Sequence, residues 1–187
     1  MILCIISNII ISILNYFAEK KSTERMTFML IAVISDTHRV AKYINLAKEL
    51  IKDADILIHL GDNVDDVEML ERDFKGQIYA VAGNCDYSTK YPKEDILEVN
   101  GKKIFYTHGD MYGVKSSINN IYYRGRELEA DIVLFGHTHE PLREEANGVI
   151  LMNPGSISLP RLNKRGIGFI NINDNGDVSI SFKEVRE

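Results

Sequence analysis

FMLIAVISDTH, residues 28–38, reads as a strand that ends on chemistry. Residues 28–35 form a short, β-rich apolar run of the kind a fully buried strand requires, and Asp36 and His38 follow at once. The arrangement recurs down the chain. ADILIHLGD (54–62) is a second buried strand with Asp62 at its end, and QIYAVAGN (77–84) is a third, closed by Asn84. IFYTHG delivers His108, and ADIVLFG (130–136) opens into GHTH with His137 and His139. Between these runs, Ile44, Ala47 and Ile51 fall at helical spacing within 40–52, and Val67, Leu70 and Phe74 share one face of a helix over 64–74. Strands alternating with helices predict parallel pairing through right-handed crossovers.

Toward the C-terminus the pattern changes. Asn100-Gly101 and Asn147-Gly148 each separate two apolar-alternating runs, and NDNGD (173–177) separates two more, so three hairpins are expected. A further helix is expected over 116–129. The sum is an α/β domain with mixed sheets, two sheets face to face and helices outside. It spans 28–187, with 18–27 as the only linker candidate.

Residues 1–17, MILCIISNIIISILNYF, carry no charged side chain. The run is short for a membrane span, which needs about 20 apolar residues, and is interrupted by Ser7, Asn8 and Ser12. It lacks a basic start and a small-residue cleavage site, so it makes a poor signal peptide. Three readings of 1–27 stay open: a misassigned start with Met26 or Met29 as the first residue, an extra helix packed on the domain or a partner, and a weak membrane anchor.

Composition narrows the function. A chain of 187 residues with 45% apolar and 26% charged side chains is an ordinary globular protein of one domain. A net charge of −5 opposes a sequence-blind grip on duplex nucleic acid. Cys4 and Cys85 form neither a disulfide framework nor a CxxC site, which fits a reducing, cytoplasmic setting.

Of the five histidines, four stand at strand ends, and His59, inside ILIHLG, reads as a core group or a support for the site. Taken singly, D-x-H, G-D or G-N-C-D is a common accident. Together, at successive strand ends where open α/β sheets bind ligands, they point to one site. Imidazole mixed with carboxylate suits Mn, Fe, Ni or Zn better than Ca or Mg. Asp36, His38, Asp62, Asn84, His108, His137 and His139 exceed what one tetrahedral ion takes, and suit two divalent ions sharing a carboxylate. Such a pair is a positive centre in an acidic protein. It attracts an anion and makes a water acidic enough to attack at neutral pH.

In this order the motifs resemble those of the calcineurin-like metallophosphoesterase superfamily, over residues 28 to about 185. DIVLFGHTHEPLREEANGVILMNPGS (131–156) looks like the YfcE-like group of small phosphodiesterases. The resemblance implies a two-sheet αββα sandwich. It implies that Asp36, His38 and His139 hold one metal, that Asn84, His108 and His137 hold the other, and that Asp62 bridges them. Manganese ranks first, with nickel, iron or zinc as substitutes. It further implies a phosphodiesterase acting on a small phosphate ester through a metal-bridging hydroxide, with Asp62, Asn84 and His108 at the phosphate. Phosphomonoester hydrolysis and a catalytically weak protein-interaction scaffold on the same fold are the alternatives. No stable nucleic-acid binding or membrane association is expected, and homo-oligomerisation is left open.

Many members of the superfamily carry histidine where this chain has Cys85, as a proton donor to the leaving oxygen. A thiol is a weak hydrogen-bond donor, so Cys85 reads first as a bystander, then as an auxiliary acid, and last as a metal ligand. Asp86 is a candidate for orienting a neighbouring ligand, Asn63 and Thr138 for supporting the ligands, and NPGS (153–156) for packing on their loops. Arg161, in SISLPR, is a candidate contact to substrate phosphate.

Overall fold

A computed structural model describes residues 28–87, 90–162 and 164–186. The readings of residues 1–27 lie outside the described residues.

Strands β1 (Phe28–Ile34), β2 (Ile56–His59) and β3 (Gln77–Ala80) run parallel, and the hairpin of β9 (Gly166–Asn173) and β10 (Val178–Glu184) extends the same sheet in the order β10-β9-β1-β2-β3. The second sheet has the order β4-β5-β6-β8-β7. It is built from β4 (Glu94–Val99), β5 (Lys102–Thr107), β6 (Ile132–Leu134), β7 (Pro141–Ala146) and β8 (Val149–Pro154). There β5, β6 and β8 are parallel and the outer strands antiparallel.

Period-two alternation sends β1 both ways. Ile31 and Val33 join Ile58, Ile104, Tyr106, Leu134 and Met152 in the layer between the sheets. Ala32 and Ile34 point outward, where Ile44, Ala47 and Ile51 of helix α1 (Ala41–Ile51) cover them together with Leu70 of α2 (Val67–Glu71). On the far face, Ile121 of α3 (Asn119–Glu127) packs on Phe105, Val133 and Leu151. Each fully buried aliphatic side chain contributes about 1.5–3 kcal/mol. The layers are therefore helix, sheet, sheet, helix, the αββα sandwich expected.

All three hairpins form at the expected turns. Asn100 and Gly101 have φ of 46° and 74°, Asn147 and Gly148 of 48° and 79°, the positive pairs that a two-residue I′ turn demands. Two helices are shorter than their periodicity suggests. The stretch 64–74 divides into a 3-10 turn, Val64–Asp66, and the five residues of α2. The Asp66 carboxylate is engaged elsewhere, accepting the Arg39 backbone N–H at 2.9 Å. Helix α3 spans 119–127 rather than 116–129.

The parallel strands of both sheets present their carboxyl ends at one pole. Across it, His108 Nδ1 meets the Leu60 carbonyl at 2.7 Å, and the His137 N–H donates to Asp36 Oδ2 at 3.2 Å, joining the two sheets there.

Candidate metal centre

Asp36 follows β1, Asp62 follows β2, Asn84 follows β3, His108 follows β5, and His137 and His139 follow β6. Two overlapping clusters result. In one, the ligand atoms of Asp36, His38, Asp62 and His139 all lie within 4.8 Å of one another, and in the other so do those of Asp62, His108 and His137. Asp62 belongs to both. Asn84 joins the second cluster with its amide oxygen 3.2 Å from His108 Nε2.

The backbone adopts rare conformations to do this. Asp36, His38, Asp62, His137 and His139 have φ of 55°, 48°, 57°, 67° and 61°. Such left-handed backbone at non-glycine residues is uncommon and concentrates at functional sites. Glycines beside the ligands supply room. A Cβ on Gly83 would meet the Asp62 carboxylate, the Asp62 nitrogen at 2.5 Å and His108 Cγ at 3.0 Å. Gly61, at φ 92°, lies so close to Gly83 that its own Cβ would stand 2.5 Å from the Gly83 nitrogen.

Hydrogen bonds set the imidazole tautomers. His108 Nδ1 donates to the Leu60 carbonyl and His139 Nδ1 to that of Leu159, each at 2.7 Å, which leaves both Nε2 lone pairs facing inward. His108 Nε2 then lies 3.1 Å from His137 Nδ1, and His139 Nε2 lies 3.4 Å from His38 Nε2 and 2.9 Å from Asp36 Oδ1. Asp36 is fully buried, yet its Oδ1 has no hydrogen-bond partner. Acceptors crowded on acceptors, with a buried carboxylate oxygen unserved, are what a cation site looks like from its ligands' side. The donor set, imidazole with carboxylate and an amide oxygen, fits a divalent transition ion.

Electrostatics agree. Burial pushes the Asp36 carboxyl up, but contact with His139 and the neighbouring imidazoles outweigh it and hold the group below its usual 3.8. Contact with Asp36 raises His139, whereas burial and then His108 lower His137. Burial drives His59 down to about 4.

His59 belongs to the support of the site. Its Nδ1 accepts the Gly61 N–H at 3.1 Å, and its Nε2 stands 3.2 Å from Thr37 Oγ1. The Thr37 hydroxyl in turn reaches the carbonyls of Asp62 and Asn63 at 3.4 and 3.3 Å. The Asp86 carboxylate clamps two ligand loops, accepting the N–H groups of Asn63, Val64 and Gly83 at 2.8–2.9 Å. Asn153 donates to the Gly136 carbonyl at 2.8 Å and to Thr138 Oγ1 at 3.1 Å, so NPGS packs against the GHTH loop. Ser156, the last residue of NPGS, donates to the Asp36 carbonyl at 2.8 Å, and Ser158, which the sequence reading did not single out, donates to that of Thr37 at 2.6 Å.

Cys85 sits at the edge. Its backbone N–H donates to Asp62 Oδ1 at 2.9 Å, and its sulfur lies 3.4 Å from Asn84 Nδ2. Burial and then the Asp62 carboxylate push the thiol up to about 11. Arg161 is exposed, and its backbone N–H donates to the His139 carbonyl at 3.3 Å.

A calcineurin-like phosphoesterase superfamily domain matches residues 29–175. The chain belongs to that superfamily. This calcineurin-like phosphoesterase is 38% identical to a probable metallophosphoesterase of Bacillus subtilis, YsnB, over 73% of its own length and 79% of that protein's. It is 31% identical to a protein of Methanocaldococcus jannaschii named as a phosphodiesterase, over 68% and 83% of the two chains. Among solved structures it is similar to vacuolar protein sorting 29 of Cryptosporidium parvum, with a TM-score of 0.66, 20% identity, and 86% and 99% of the two chains covered. The phosphoesterase carries candidate metal-binding residues, and among the described residues no helix is long and apolar enough to cross a membrane.

Proposed function

We propose that the chain hydrolyses a small phosphate diester at a dinuclear centre. The observation that carries this is the membership of Asp62 in both ligand clusters. Asp36, His38 and His139 would hold one divalent ion, Asn84, His108 and His137 the other, with Asp62 between them. When bound, the ions supply Lewis acidity, a water of lowered pKa and charge for the phosphoryl oxygens. Manganese is the first candidate and nickel, iron or zinc the alternatives, since the donors mix imidazole with oxygen.

The residues' own part is orientation. Leu60 and Leu159 carbonyls lock His108 and His139 with inward lone pairs. The Cys85 N–H holds Asp62 in one rotamer, and the Asn84 amide turns its oxygen to His108 and its nitrogen to the Cys85 sulfur. The Cys85 sulfur lies against the Asn84 amide and belongs to neither ligand cluster, so it is not assigned as the attacking group. As a weak donor it assists poor leaving groups little. Diesters rank above monoesters by likeness to the M. jannaschii phosphodiesterase.

Likeness in fold to vacuolar protein sorting 29 supports a second reading, a protein-interaction scaffold of little catalytic activity. One assay separates the two. With Mn2+ the chain should hydrolyse bis(4-nitrophenyl) phosphate, chelator should stop it, and Asp62→Asn should lower kcat/KM at least 100-fold. Hydrolysis indifferent to chelator or to Asp62→Asn rejects the dinuclear reading. No hydrolysis with any of the four metals favours the scaffold.

A further inference from the structure

Beside the GHTH loop lies a cavity of about 200 Å³. Val114, Ile118, Phe135 and Leu142 give it an apolar lining, and Thr138, which stands between His137 and His139 in sequence, lines it too. Lys115 and Arg161 stand on its rim with Glu140. Both cations are exposed, and neither has a carboxylate partner among the described residues. Arg161 is fixed to the centre through its backbone bond to His139. In a chain of net charge −5, two cations without a carboxylate partner beside an anion-attracting centre extend the positive field over this cavity.

We propose that this cavity is a substrate subsite, and that it takes an ester arm made of a short apolar body ending in a second anionic group. The inference rests on the phosphodiesterase reading of the neighbouring centre. A cavity of about 150 Å³ lined by apolar side chains accepts benzene, so the space here suits one aryl-sized body. The apolar lining packs against that body, and the rim cations meet its charge. Glu140 repels an anion and accepts a hydroxyl or amide proton, so it confines the charged end to the Lys115 and Arg161 side.

The test compares two diesters that differ by one carboxylate, 4-nitrophenyl phenyl phosphate and 4-nitrophenyl 4-carboxyphenyl phosphate, on the full chain with Mn2+. The wild type should prefer the carboxylated diester by about tenfold in kcat/KM, mainly through KM, and the preference should shrink with added salt. Lys115→Ala combined with Arg161→Ala should bring the ratio near one. Lys115→Glu should push it below one, and Glu140→Gln should raise it. If both diesters turn over and the wild type shows no preference, or the double variant keeps it, the subsite is wrong and the centre stands. If neither turns over with any metal while the protein is folded, the phosphodiesterase reading fails and the subsite falls with it.

Discussion

His139 Nε2 faces Asp36 Oδ1 at 2.9 Å, while its other ring nitrogen donates to the Leu159 carbonyl. A neutral ring in that tautomer sets a lone pair against a carboxylate. The contact is favourable only with a proton or a cation between the two atoms. In the absence of metal the proton takes the place, which is why Asp36 is held below and His139 above its usual pKa.

The signs then follow from linkage. His139, raised, stabilises fully below its unfolded value of about 6.5, and its contribution is lost as pH climbs through the folded value. Asp36, lowered, contributes above its unfolded value near 3.9, and loses that as pH falls through the folded one. The metal-free protein should therefore draw most from the pair between about pH 4 and 6.5. Thermal melts of chelator-treated protein should show Asp36→Asn losing most in that window, with the gap narrowing as pH rises beyond it. A gap independent of pH contradicts the account. Manganese affinity should rise over the same upper range, because His139 must release its proton to bind.

His59 predicts the opposite slope. Burial drives it down to about 4 from 6.5, so the folded state resists its protonation and stability is lost as pH falls between those values. Linkage puts the loss at about 3 kcal/mol. His59→Gln keeps a polar group near Thr37 but does not titrate. Its melting temperature should fall less steeply from pH 6.5 to 4 than the wild type's, and an equal slope in calorimetry would assign the acid lability elsewhere.

Gly83→Ala tests how tightly the ligand loops are packed. The added methyl must displace the Asp62 carboxylate or its backbone, and neither is a flexible end. Overpacking of this kind costs about 1–3 kcal/mol. Activity should fall more than stability, at least tenfold, because Asp62 is the group displaced. Kinetics and denaturant melts on one preparation decide it, and a variant with wild-type kcat/KM would mean that Asp62 is not held where it is needed.

Ser156→Ala and Ser158→Ala each remove a buried bond to the carbonyls of Asp36 and Thr37. Ser156→Ala should lose about 1–3 kcal/mol of stability, since it takes the Asp36 carbonyl's side-chain donor away. Ser158→Ala should lose less, about 0.5–1.5 kcal/mol, because the Thr37 carbonyl keeps the Val40 N–H at 3.1 Å. Supports of this kind typically change metal affinity 10–100-fold. Mn2+ titration by calorimetry should show weaker binding at the first cluster, the one containing Asp36 and His38. Unchanged affinity would reduce both serines to packing.

Much of this was legible before any coordinates. Strand β1 announces itself because its side chains are buried on both faces, and its ligands announce themselves because they follow directly. The hairpins were legible because Asn-Gly admits the positive φ pair that few other residues tolerate. The left-handed backbone of Asp36, His38, Asp62, His137 and His139 was not, since these residues rarely adopt it and only the convergence of both sheets holds them there. Asp86 reads as a group that orients a neighbouring ligand, but the way it does so is not legible in the sequence. Its two oxygens are taken by three backbone N–H groups, a partnership set by loops distant in sequence. Ser158 carries no local signal, because its partner lies about 120 residues upstream. The helix over 64–74 was overread because periodicity records which residues are buried and not which side chain has bound a neighbouring loop, as Asp66 has.

The most direct measurement is anomalous diffraction from a crystal of the protein grown or soaked with manganese. The account predicts two peaks flanking the Asp62 carboxylate, one among Asp36, His38 and His139 and the other among Asn84, His108 and His137. A single peak, or none with the imidazoles apart, would contradict it.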